Sequence, residues 1–189
     1  PYAEYTKATV EWHIDGAIDE ATPVKATVLT AKVVAAKGGE TEFANAYTAY
    51  EDLSDEEKDR YVKLRVFHSF EASQRKTYPN PTPEQLADWQ QRGGREQPLV
   101  WTHRSGRRSL VLGVTADYVL GMDEDEGRAL LADLLAQATT PDRVYTHSWS
   151  VGDTVIWDNR GVFHRVQPYT AESQREMHRT NILGDEPIE

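Results

Sequence analysis

Apolar and polar positions switch between a period of two and a period near three and a half along this chain. Thr9 to Trp12 and Lys25 to Val34 are rich in β-branched residues and predict strands. The second run lacks clean alternation, which predicts burial on both faces. Lys37-Gly38-Gly39-Glu40-Thr41 reads as a turn, and Phe43 to Leu53 as a helix with Tyr47 and Tyr50 on one side. Ser54-Asp55-Glu56-Glu57 has the spacing of a capping box and opens a further short helix. Val62 to Phe70 returns to a strand pattern. The polar stretch from Glu71 to Gln97 carries Pro79, Pro81 and Pro83, and Thr82-Pro83-Glu84-Gln85 caps a helix running to about Gln91. A stretch of this length and polarity is an insertion or a lid over a pocket.

Leu99 to Thr102 and Ser109 to Gly113 flank Arg104-Ser105-Gly106-Arg107 and predict a hairpin. Asp123 to Ala138 is the clearest helix. Its first turn is acidic, which suits the positive end of the helix dipole, and Leu130, Leu131, Leu134 and Leu135 form one core-facing stripe. Tyr145 to Ser148 and Val151 to Asn159 read as strands paired across a Gly152-Asp153 turn, and Arg179 to Leu183 as the last strand. Many short strands with a few peripheral helices predict a mainly β sandwich or barrel decorated with helices. No linker or repeat divides it, so 1–189 reads as a single domain.

Composition narrows the function classes. With 31 acidic against 21 basic residues the net charge is −10, which opposes a general nucleic-acid surface. No apolar run approaches the ~20 residues a membrane-spanning helix needs. The chain has no cysteine, which excludes disulfides, thiolate metal sites and thiol catalysis and is compatible with a cytoplasmic setting. The sequence opens at Pro1 inside what already reads as folded sequence, so an amino-terminal segment is expected to be missing.

Candidate chemistry lies near the two ends. His13 and Asp15 are two positions apart, and on a strand such residues share a face. His13-Ile14-Asp15 is the one histidine-x-acid triplet present, where roughly one would arise by chance. His164, in Trp157 to Arg165, is followed by Arg175 and Arg179 at eleven and fifteen residues. Two histidines and one carboxylate on one face of an ion leave three positions open, as in non-haem Fe(II) oxygenases, although zinc hydrolysis can use similar ligands. The arginines add a bidentate grip on a carboxylate, as a five-carbon diacid co-substrate requires. The other histidines (His68, His103, His147, His178) fit no second motif and read as structural or exposed. Trp149 and Trp157 read as core or wall residues.

Taken together, these segments resemble the TauD/TfdA family of Fe(II)/2-oxoglutarate-dependent dioxygenases. The resemblance is carried by WHID at Trp12, GGETEFAN at Gly38 to Asn45 and EGRALL at Glu126 to Leu131. It continues in VYTHSWSVGDTVIWDNRGVFHR from Val144 to Arg165 and REMHRTNILGDEP from Arg175 to Pro187. It implies a double-stranded β-helix, or jelly roll, with His13, Asp15 and His164 as iron ligands. It further implies that Thr41 and Arg175 bind 2-oxoglutarate, and that Arg179 helps hold the co-substrate or an anionic group of the substrate. Trp157 and Asn159 belong to the same motif and position the strand. The implied reaction oxidises a small, anionic organic substrate with O2, releasing succinate and carbon dioxide. Sulfonates, alkyl sulfates, aryloxyalkanoates and biosynthetic acids are all open, and a homo-oligomer is expected. Asp15 argues against halogenating variants, which lack the carboxylate. The competing readings are a zinc hydrolase using the same triad and a non-catalytic jelly roll that binds a metabolite.

Overall fold

Asn45 is where the first local expectation fails. Strand β2 (Thr41–Asn45) precedes helix α1 (Ala46–Glu51), and the helix starts three residues later than its apolar pattern suggests. The Asn45 side chain accepts from the backbone N–H groups of Tyr47 and Thr48 at 2.9 and 3.2 Å, so it is the cap. Phe43 and Ala44 therefore belong to a ladder, opposite His164 and Phe163.

The computed structural model describes residues 9–18 and 22–189. Strand β1 spans Ala26–Val33. After α1 come α2 (Asp55–Tyr61), β3 (Arg65–Ser69), α3 (Phe70–Thr77), α4 (Pro83–Gln91) and β4 (Gly94–Pro98). The hairpin β5 (Val100–Thr102) and β6 (Arg108–Leu110), then β7 (Ala116–Val119) and α5 (Glu124–Ala138), follow. The chain closes with β8 (Val144–His147), β9 (Thr154–Asp158), β10 (Val162–Val166) and β11 (Glu176–Ile182). No helix among the described residues is long and apolar enough to cross a membrane.

The protein is mainly β with a few helices. Two three-stranded antiparallel sheets, ordered β11-β1-β9 and β10-β2-β8, meet through aromatic contacts: Trp157 of β9 lies 5.4 Å from the Phe43 ring and 4.8 Å from the His164 ring. A third sheet, β4-β3-β7, and the β5–β6 hairpin complete the strands. The predicted hairpin, both capping-box helices and the leucine-striped helix all form. In α5, Leu131 and Leu134 are buried, while Leu130 and Leu135 are partly covered. Trp101, Phe163, Leu99, Leu110 and Leu112 fill the core.

Three further expectations are corrected. No strand forms over residues 9–12: pairing is confined to His13, and the Trp12 carbonyl accepts from the Val114 N–H at 2.8 Å instead of joining a ladder. β1 is buried on one face, through Thr27 and Ala31, while Lys32 and Val33 are exposed. Finally, β8 and β9 do not pair with each other. β8 runs beside β2 and β9 beside β1, so the Gly152-Asp153 turn crosses from one sheet to the other. A period of two says which face a strand buries, not which partner it takes. Residues 71–97 form α4, most of α3 and most of β4, and β4 is joined to β3 across its whole length.

His68 is fully buried on β3, with Nδ1 2.9 Å from the Thr115 hydroxyl. Burial lowers its pKa from 6.5 to about 4. The unfolded chain binds this proton at its ordinary value, so between pH 6.5 and about 4 it holds more protons than the folded chain. Stability therefore falls as pH drops through that window, by at most about 3 kcal/mol from this group. His68→Gln is expected to flatten the pH dependence of the urea midpoint between pH 7 and 4. Superimposable pH profiles for the two proteins would contradict this.

Candidate metal centre

A single β-bridge builds the site. The His13 N–H donates to the His164 carbonyl at 3.1 Å, and the His164 N–H donates back to the His13 carbonyl at 2.9 Å. Residues that exchange both bonds stand directly opposite and project to the same side. Their imidazole rings accordingly lie 4.2 Å apart, centroid to centroid. Asp15 is in the turn that follows, so the shared face comes from the bridge and the turn and not from the strand the spacing suggested. Its Oδ1 is 3.9 Å from His13 Nε2 and its Oδ2 3.7 Å from His164 Nε2. One donor atom from each of the three residues lies within 4.8 Å of the others. Gly113 packs behind this segment at φ +121°, where a Cβ would stand 2.8 Å from the His13 Cα. Only glycine fits both that conformation and that approach.

The cluster is in the protonation state that a divalent ion needs. His13 Nδ1 is 2.8 Å from the Glu11 carbonyl, which can only accept, so Nδ1 carries the proton and Nε2 presents a lone pair. Burial lowers the pKa of His13 and takes that of His164 down to about 3, so both rings are neutral. Burial alone would raise the pKa of Asp15. The fields of His164, Arg179 and His13, with a hydrogen bond from Thr27, outweigh it and hold the carboxylate below its ordinary value. Two neutral imidazoles and one carboxylate, all buried or nearly so, match the donor set of a ferrous or zinc ion.

Thr41, Arg175 and Arg179 separate into two places. Arg179, on β11, reaches Asp15 itself, with its guanidinium 2.8 Å from Oδ2 and its Nε 3.1 Å from the Asn181 side chain. Arg175, just before β11, lies over the Tyr169 ring at 5.1 Å and lines a cavity of about 80 Å³ with Gly38, Gly39 and Trp149. It has no carboxylate partner among the described residues, and burial lowers its pKa without discharging it. Gly39 (φ +80°) makes room for it: a Cβ there would meet Arg175 Nε at 3.1 Å. Thr41, on β2, accepts from the Trp149 indole N–H at 2.9 Å, so its own hydroxyl proton is free to be donated. Trp149 thus borders both Thr41 and Arg175. It is a site wall, and Trp157 is buried between the sheets.

Sequence reasoning did not single out Thr27 or Arg165, and it gave Asn159 only the role of positioning the strand. Thr27 donates to Asp15 Oδ2 at 2.7 Å, and Asn159 Nδ2 donates to Thr27 at 2.9 Å. Arg165 pairs with Glu42 at 2.6 Å and lies 4.6 Å from the Trp12 ring, tying together the two segments that carry the histidines. Thr27 has no sequence signal, because a threonine in a β-branched run is ordinary. The remaining histidines are structural or exposed. His103 joins Glu186 to Ser109 in the interior, His147 faces Asp153, and His178 is exposed beside Glu176.

Fold and site together describe a mainly β protein with a two-histidine, one-carboxylate cluster between its sheets. The chain belongs to the taurine catabolism dioxygenase TauD, TfdA family, whose model matches residues 2–181. It is 37% identical over 186 residues to an alpha-ketoglutarate-dependent 2,4-dichlorophenoxyacetate dioxygenase of Burkholderia sp. (strain RASC), covering 92% of this chain and 58% of that protein. It is 34% identical over 187 residues to an (S)-phenoxypropionate/alpha-ketoglutarate-dioxygenase of Sphingobium herbicidovorans, covering 95% of this chain and 64% of that protein. The crystal structure of AAD-2 in complex with Mn(II) and N-oxalylglycine superimposes with a TM-score of 0.89 at 36% identity, over 99% of this chain and 73% of that one. The chain therefore spans about three fifths of the length of these two curated relatives.

Proposed function

We propose that this chain is the jelly-roll catalytic domain of an Fe(II)- and 2-oxoglutarate-dependent dioxygenase acting on aryloxyalkanoates. The carrying observation is the pairing of a His13/Asp15/His164 cluster, with neutral imidazoles and an ionised carboxylate, with a second, separate cation, Arg175, that has no carboxylate partner among the described residues. The cluster would hold the ion. Arg175 would clamp the distal carboxylate of the diacid, and the Thr41 hydroxyl would donate to the same group. Arg179 keeps Asp15 ionised while the site is being filled. The ferrous ion, when bound, supplies the dioxygen chemistry that no side chain can perform. N-oxalylglycine, which accompanies Mn(II) in the AAD-2 structure, is the amide analogue of 2-oxoglutarate, which supports this co-substrate.

Two of the curated relatives are named for aryloxyalkanoates, which supports this substrate class. Hydroxylating the carbon between the ether oxygen and the carboxylate gives a hemiacetal that separates into a phenol and a keto or aldehyde acid. One O2 and one 2-oxoglutarate are consumed, and succinate and carbon dioxide are released. A zinc hydrolase on the same triad would leave Arg175 and Thr41 without a role. The test adds Fe(II) and 2-oxoglutarate anaerobically, seeking the weak visible band of the chelate, then O2 and phenoxyacetate. A band followed by coupled succinate and phenol release is expected. Absence of the band, with turnover supported by Zn(II) alone, would overturn the proposal.

A further inference from the structure

Two polar side chains sit where this sheet would ordinarily hold aliphatic ones. Thr27 is fully buried on β1, and Asn159, just beyond β9, is 1% exposed. Burying a hydroxyl and an amide is costly unless each is well bonded. Even so, Asn159 Oδ1 has no hydrogen-bond partner among the described residues. The reason for keeping them lies in which atoms they join.

Thr27 has one proton to give and three polar atoms around it. Asp15 Oδ2 lies at 2.7 Å, Asn181 Oδ1 at 3.4 Å and Asn159 Nδ2 at 2.9 Å. An amide nitrogen can only donate, so Asn159 occupies a Thr27 lone pair and the hydroxyl proton must go elsewhere. The nearer and charged acceptor is Asp15. Were the Asn159 amide reversed, its oxygen would compete for that proton and Asp15 would lose a donor. Asp15 Oδ2 also receives the Arg179 guanidinium at 2.8 Å. Two donors therefore load Oδ2, while Oδ1 faces His13 Nε2 at 3.9 Å and takes no hydrogen bond among the described residues.

We infer that Asn159 and Thr27 form a directional hydrogen-bond relay that locks the Asp15 carboxylate, so that Oδ1 is the atom offered to the metal. Both are positioning residues. The inference rests on the reading of Asp15 as a metal ligand. In strength it belongs with other partners that orient a ligand, whose loss weakens metal binding by about 10- to 100-fold. Thr27→Val keeps the shape and removes the proton. Thr27→Ser keeps the proton. Asn159→Asp replaces the donor by an acceptor that draws the Thr27 proton away from Asp15.

The test is a Co(II) titration of the metal-free chain without 2-oxoglutarate, followed by the visible d–d bands, with the thermal midpoint of each metal-free variant alongside. Thr27→Ser is expected to bind Co(II) within about threefold of wild type, and Thr27→Val and Asn159→Asp about 10- to 100-fold more weakly. A purely structural role would lower the midpoint and leave the affinity of the folded protein unchanged. Wild-type affinity in either Thr27→Val or Asn159→Asp overturns the relay. A wild-type chain that binds no Co(II) overturns the metal-centre reading, and the relay with it.

Discussion

Asp15→Asn is expected to lower Fe(II) affinity by well over the ~100-fold that the loss of a supporting partner costs, because it removes a charged donor from the centre itself. The substitution is close to isosteric, and the new side-chain oxygen can still accept from Thr27, so the fold should survive. Arg179 loses its anion. With 47% of its side chain exposed it returns to water, and the destabilisation should stay near the ~1 kcal/mol or less of an exposed ion pair. The expected signature is a large fall in metal affinity with a small change in the thermal midpoint of the metal-free chain. Calorimetric titration with Fe(II) under anaerobic conditions would measure it. Fe(II) binding undiminished in the variant would remove Asp15 from the centre.

Arg175→Ala should show the opposite division. Arg175 touches Tyr169 and the cavity beside Gly39, and no atom of the His13/Asp15/His164 cluster, so metal affinity without co-substrate should be unchanged. Affinity for 2-oxoglutarate should fall sharply. Truncating one member of a buried, hydrogen-bonded charge pair costs about 2–5 kcal/mol, a factor of roughly 30 to several thousand in the dissociation constant. Arg175→Lys keeps the charge without the fork and should recover only part of that loss. Titrating the metal-loaded chain with 2-oxoglutarate would read all three proteins. Equal affinities would show that the diacid is not held by Arg175 and would favour chemistry on the triad alone.

The two corrected pairings have a tertiary origin, and the displaced helix a local one. Alternation in Val151 to Asn159 marks a strand, and a strand forms. Its partner is β1, far away in sequence, because sheet neighbours are chosen by burial between layers and not by proximity along the chain. Phe43 and Ala44 suit a helix and a strand equally, and the boundary was decided by the Asn45 side chain closing on Tyr47 and Thr48. A tertiary origin holds for His13 and Asp15 too. Their spacing suggested a strand, yet a bridge of one residue pair brings them to His164.

By itself the sequence determined the mainly β class, the capped helices and the hairpin, because periodicity, caps and turns act over a few residues. It also named side chains that could form the site: His13, Asp15, His164, Arg175 and Arg179 by type and spacing, and Thr41 through the family resemblance. Only the tertiary structure decided what each one touches. Arg179 lies on Asp15 and Arg175 in a separate cavity, although they are only four positions apart, because residues before a strand and within it are directed by different neighbours. Thr27 and Asn159 are joined only because β1 and β9 pair. Nothing local distinguishes a buried threonine that packs from one that holds a carboxylate; that difference is a distance across the fold.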